Sequence, residues 1–83
     1  MTYHVEGING QQLKLGDVLS GEDGRYWKFV EQVEVPAADY RLCIMRILKT
    51  GEVEEIEVRE DDEYDRVEPS PIGLLTAEEI GII

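Results

Sequence analysis

"YRLCIMRILKTGEVEEIEVR", Tyr40–Arg59, is the stretch whose reading decides the fold. Two runs in which apolar and polar residues alternate flank a Lys-Thr-Gly break, the pattern of two strands joined by a short turn. A two-residue turn would force β-branched Thr50 to positive φ, whereas a three-residue Lys49-Thr50-Gly51 loop asks this only of glycine and forms a bulge. That loop pairs Leu48 with Glu52. It also sets Ile44 opposite Ile56, Leu42 opposite Val58, Ile47 opposite Val53 and Arg46 opposite Glu54. A one-residue slip would exchange the faces of one strand relative to the other. In this register Leu42, Ile44, Ile56 and Val58 form the core face. Cys43, Met45, Ile47 and Val53 lie on the other face beside Glu55 and Glu57, awaiting a cover.

Upstream, "YHVEGINGQQLKL" centres on Asn9-Gly10, a hairpin signal that predicts strands near 3–8 and 11–15. "RYWKFVEQVEV" predicts a central strand with Trp27, Phe29, Val33 and Val35 on one face, stopped by Pro36. Downstream, Pro69 and Pro71 stiffen a connector to "IGLLTAEEIGII". There Thr76 and Glu79 have capping-box spacing, and Leu75 and Ile80 stand where a hydrophobic staple would sit. A helix this short needs docking to persist, so the tail is expected on its own domain or on another molecule. It is also the candidate cover for the Cys43 face. The expected organisation is a β domain over 1–69 and a C-terminal segment over 70–83.

Together these elements predict a mainly β protein: a small, antiparallel, strongly bent sheet or SH3-like barrel of five to six strands with a short C-terminal helix. "LKLGDVLSGEDGRYWKFVEQV", residues 13–33, resembles the opening of SH3-like barrels, where a Gly-Asp turn precedes a strand and a glycine loop leads to the next. The resemblance is one of fold style and carries no functional residues across.

Eighty-three residues make one small domain. A single cysteine, Cys43, excludes a disulfide scaffold and a cysteine metal cluster. With neither a signal peptide nor a membrane-length apolar run, the sequence reads as cytoplasmic. The net charge of −11 opposes direct contact with nucleic acid or anionic membrane and suits a basic partner.

Catalysis has little to work with. His4 is the only histidine and lies in the first few residues, and no phosphate-binding glycine loop occurs. Cys43, within an apolar strand, reads as a buried side chain rather than a reactive thiol. "DDEYD" alternates Asp61, Glu63 and Asp65, but a calcium loop counted from Asp61 meets Arg66 where glycine is required and Ile72 where glutamate is required. No enzyme activity, cofactor or metal is expected.

What remains is charge. Glu52–Glu68 holds ten acids and two bases. The candidate partner-binding residues are Glu52, Glu54, Glu55, Glu57, Glu60, Asp61, Asp62, Glu63, Tyr64, Asp65 and Glu68. Cross-strand pairing with Arg41, Arg46 and Lys49, or simple solubility, would use some of them. The imbalance points instead to an encounter with a basic protein surface, with Tyr64 either an aromatic anchor or a plug closing the core. Same-face carboxylates on a strand lie ~6.8 Å apart, within the range of neighbouring phosphates. A nucleic-acid-mimicking inhibitor of a nucleic-acid-binding enzyme follows as the sharper form, by analogy of charge and size with phage-encoded inhibitors. The alternative is a structural or assembly subunit of a virion or larger complex, forming homo-oligomers or packing on neighbours through the C-terminal segment.

Overall fold

A computed structural model describes all 83 residues. Seven strands form one antiparallel sheet curled into a half-barrel: β1 (Thr2–Asn9), β2 (Val18–Ser20), β3 (Tyr26–Val33), β4 (Arg41–Ile47), β5 (Val53–Val58), β6 (Glu63–Pro69) and β7 (Leu75–Thr76). Their order across the sheet is β5-β4-β3-β2-β6-β1-β7, and a one-turn helix, α1 (Ala77–Ile80), ends the chain. The mainly β, strongly bent expectation holds, with seven strands rather than five or six. No helix is long and apolar enough to cross a membrane.

The inner face follows from register. Leu19 lies opposite Trp27, Trp27 opposite Ile47 and Phe29 opposite Met45. Leu19, Phe29, Cys43, Met45 and Val58 are buried there with Ile8 and Leu13, and Trp27, Ile56 and Tyr64 pack around them. β3 is central, as expected, but a bulge between Phe29 and Glu31 reverses its alternation. Gln32, rather than Val33, therefore shares the inner face with Cys43, and Val33 is exposed.

The β4–β5 register differs from the expected one by a single residue. The loop has four residues, Leu48–Gly51: Ile47 N–H donates to the Glu52 carbonyl and Gly51 N–H to the Ile47 carbonyl. Gly51 does take the positive φ, at 77°. Cys43 faces Ile56, Ile44 faces Glu55, Leu42 faces Glu57 and Arg46 faces Val53. The core face is accordingly Cys43, Met45 and Ile47, not Leu42 and Ile44. Local matching within the hairpin favoured the other register, but β3 decides, because Trp27 and Phe29 bury the odd-numbered side chains of β4 beneath them.

Asn9-Gly10 is no hairpin turn either. Asn9 is extended (φ −100°) and caps a 3₁₀ turn at Gly10–Gln12: its side chain accepts from Gln12 N–H, and the Gln12 side chain accepts from Asn9 N–H, both at 3.0 Å. The chain then drops Leu13 into the core instead of forming a strand over 11–15. β1 finds its partner far away in β6, from Tyr3 opposite Pro69 to Asn9 opposite Glu63.

Curling brings the 3₁₀ turn against the β5–β6 connection. Gly10 N–H donates to the Asp62 carbonyl at 2.8 Å and Gln11 N–H to the Glu60 carbonyl at 3.2 Å. A Cβ on Gly10 would overlap the Arg59 carbonyl, so only glycine fits there. From β4, the Arg41 guanidinium reaches across to the carbonyls of Gly10 and Leu13 and to Gln32 Oε1.

The tail docks in part. Thr76 Oγ1 accepts from Glu79 N–H at 3.2 Å, and the Glu79 carboxylate accepts from the Thr76 hydroxyl rather than from its backbone, so half of the capping box forms. Leu75 and Thr76 pair with Tyr3 and Thr2, and Ile80 is fully buried outside the inner cluster. Gly81 lies against Leu48 and Lys49, beside a cleft lined by Val18, Lys28 and Arg46. The register puts those three side chains on the outer face, so the tail covers the face opposite Cys43, not the Cys43 face.

Arg41→Met, which keeps the aliphatic bulk and removes the donors, should lower stability by about 1–3 kcal/mol, read as a fall in urea midpoint. Gly10→Ala should cost at least as much, because backbone must move to admit its Cβ.

Candidate functional site

The acidic run does not form one ribbon. β5 is an edge strand, whereas β6 lies between β2 and β1 on the other limb of the sheet. The run thus begins on one edge, passes through the Arg59–Asp62 turn and ends in the sheet interior.

On β5, Ile56 and Val58 point inward with Glu54, so Glu55 and Glu57 point outward with exposed Val53. Glu57 lies 3.6 Å from Arg59, whose guanidinium also stands 3.9 Å from Asp39 and over the Tyr40 ring. Glu52 and Glu55 have no cation within ion-pair distance, nor does half-buried Glu54. The expected pairing of Arg46 with Glu54 does not form, since Arg46 sits opposite Val53.

In the turn, Asp62 is structural. Its carboxylate accepts from Arg59 N–H at 2.9 Å and from the Tyr64 hydroxyl at 3.3 Å. Glu60 and Asp61 form the tip, with exposed side chains on a backbone held by the 3₁₀ turn.

On β6, Tyr64 and Arg66 face inward while Glu63 and Asp65 face out, exposed and without ion pairs. Tyr64 packs half-buried against the core, the plug of the two roles expected for it. Burial, with the Asp62 charge and hydrogen bond, pushes its phenol up to about 12. Glu68 is bound to Arg66 (2.5 Å), which also reaches Asp17 (3.5 Å) in a partly buried cluster. Arg66 therefore serves the fold and does not offset the exposed acids.

Cys43 is fully buried, and desolvation raises its thiol pKa despite the nearby Arg41 charge. His4 is exposed and lies opposite Glu68 at the far end of β1. No group of three histidine, cysteine or carboxylate side chains is placed to hold a metal ion.

Sequence reasoning missed the structural roles of Arg41, Asp62 and Arg66. The Arg41 role and the Arg66–Asp17 contact depend on partners 31 and 49 residues away and have no local signature; only the Arg66–Glu68 pair, two residues apart, is local. The Asp62 role had one, an aspartate three residues after the amide that it caps.

The fold and this site define a class, a curled antiparallel half-barrel with an acidic edge. In comparisons with known proteins, no family model, no curated protein and no solved structure matches the chain.

The Tyr64 phenol gives a pH test. Its folded pKa lies above the ordinary value of 10, so its stabilising contribution is complete below pH 10 and is lost as pH rises from about 10 to about 12. Tyr64→Phe should flatten the fall in thermal midpoint across that window.

Proposed function

We propose that the protein is a non-catalytic acidic binding protein that occupies a basic protein surface. The observation that carries this reading is the set of seven carboxylates in Glu52–Glu68 left with neither an ion pair nor a side-chain hydrogen bond: Glu52, Glu54, Glu55, Glu60, Asp61, Glu63 and Asp65. Basic residues are not absent from the fold. Arg41 and Arg66 are spent on the backbone and on Asp17 and Glu68, and Arg46 and Lys49 form no ion pair. Uncompensated like charge reduces the stability of a small domain, and a cationic surface relieves it while steering the encounter.

The sharper form, nucleic-acid mimicry toward a nucleic-acid-binding enzyme, rests on Glu55/Glu57 and Glu63/Asp65. Each pair offers two outward carboxylates at about 6.8 Å. The two rows lie on different limbs of the sheet, so each stands in for a short phosphate stretch rather than a long one.

A second reading, as an assembly subunit, is favoured by a specific feature. Ile72, Leu74 and Ile83 are 88%, 92% and 91% exposed although Ile80 between them is buried. Single apolar side chains on a surface are ordinary, but three on one terminal segment suit contact with a neighbour.

The immobilised protein, incubated with host lysate at low salt, should retain a basic partner that a salt step releases. Charge reversal at Glu55, Glu57, Glu60 and Asp61 to lysine should abolish retention without lowering the melting temperature. Retention unchanged at about 1 M salt, where the screening length is ~3 Å, would sink the electrostatic reading. Sedimentation addresses the second: the assembly reading predicts an oligomer that Leu74→Ser with Ile83→Ser dissociates, and a monomer before and after counts against self-assembly.

A further inference from the structure

β5 leaves one side of its backbone unpaired. Its neighbour on one side is β4, and it has none on the other. Because Ile47 N–H bonds to the Glu52 carbonyl, the antiparallel alternation turns the backbone groups of Glu54, Ile56 and Val58 toward β4. The N–H and C=O of Val53, Glu55 and Glu57 therefore point away from the sheet, a template for one more strand.

Three features select the occupant. The first is charge: the outward side chains of this edge include Glu55 and Glu57, with Glu52 and Glu54 beside them. A second copy pairing edge to edge would set carboxylate against carboxylate, which is destabilising. The second is position along the edge. Arg46 stands opposite Val53 at one end and Arg59 lies 3.6 Å from Glu57 at the other, so Glu55 between them is the carboxylate without a cation. The third is the cleft of about 860 Å³ into which the Glu57 end opens, where Asp39, Glu60 and Asp61 outnumber two arginines, Arg59 and an Arg41 whose guanidinium is turned to the Gly10 and Leu13 carbonyls. β1 also has free backbone beyond its two pairs with β7, but Glu6 is the one acid along Val5–Gly7.

We propose that β5 accepts an extended peptide segment with lysine or arginine at every second position, added as an eighth strand. Its basic side chains lie over Glu55 and Glu57, and its end reaches the Asp39/Glu60/Asp61 cleft. This rests on the basic-partner reading above and narrows it, from a surface met by charge to a strand met by charge and backbone together. The acidity that discourages self-association of a bare edge selects this partner.

The test uses the isotopically labelled full chain and two peptides of alternating lysine and threonine, seven residues each. One is unmodified and the other is N-methylated on alternate lysines, which keeps every charge and removes strand donors. The unmodified peptide should shift the amides of Val53, Glu55 and Glu57 and slow their exchange, and the methylated peptide should bind about tenfold more weakly. Val53→Pro removes one outward donor and no carboxylate, and an edge position tolerates proline. It should weaken the unmodified peptide about fivefold. If that variant unfolds, the two peptides on the unaltered chain still decide. Equal affinity for both peptides, or shifts confined to residues 60–65, overturns strand addition and leaves the electrostatic reading standing. Failure of both peptides to bind at low salt overturns it as well, and salt-releasable retention from lysate then judges the electrostatic reading separately.

Discussion

A curled sheet must be held shut where its limbs meet, and here one guanidinium bridges them. Arg41 extends from the first residue of β4 to the carbonyls of Gly10 and Leu13, with Gln32 Oε1 as a third acceptor. The Gly10 carbonyl already accepts from Leu13 N–H at the end of the 3₁₀ turn; Arg41 adds a second donor to it and satisfies the Leu13 carbonyl that follows. The adjacent backbone bonds from Gly10 and Gln11 to Asp62 and Glu60 complete the closure. Beneath it lie Leu13, Val58 and Cys43, all essentially removed from solvent.

The same closure organises the charge. The Arg59–Asp62 turn is pinned from behind by the 3₁₀ turn and from within by the Asp62 carboxylate, so Glu60 and Asp61 project from a fixed backbone. Preorganised charge suits recognition, because less conformational freedom is lost when a partner arrives. Committing half-buried Arg41 and Arg66 to structural roles has a second effect. It withdraws two cations from the surface and leaves the outer carboxylates of β5 and β6 facing water.

Foldedness, strand content and the approximate positions of β3, β4 and β5 were legible in the alternation of apolar residues. So was glycine's positive φ at position 51. The register was not. Pairing Ile44 with Ile56 and Leu42 with Val58 is locally attractive, and only the presence of Trp27 and Phe29 on the neighbouring strand turns Cys43, Met45 and Ile47 inward. The Asn9-Gly10 pair reads as a tight hairpin turn. In the structure Asn9 instead caps a 3₁₀ turn with Gln12, because β6, rather than the residues that follow, is β1's partner.

The sequence by itself determined that this is a small, acidic, mainly β chain, since composition and side-chain alternation are local properties that any fold inherits. It also placed the surplus carboxylates between Glu52 and Glu68. Only the tertiary structure decided which of them are spent. Asp62 and Glu68 are held by Tyr64 and Arg66, Glu57 meets Arg59 only at the exposed surface, and Glu52, Glu54, Glu55, Glu60, Asp61, Glu63 and Asp65 stand unpaired on two limbs. The reason is distance along the chain. The sheet order puts three strands between β5 and β6, and closure returns Gly10 to Asp62, contacts that no window of neighbouring residues encodes.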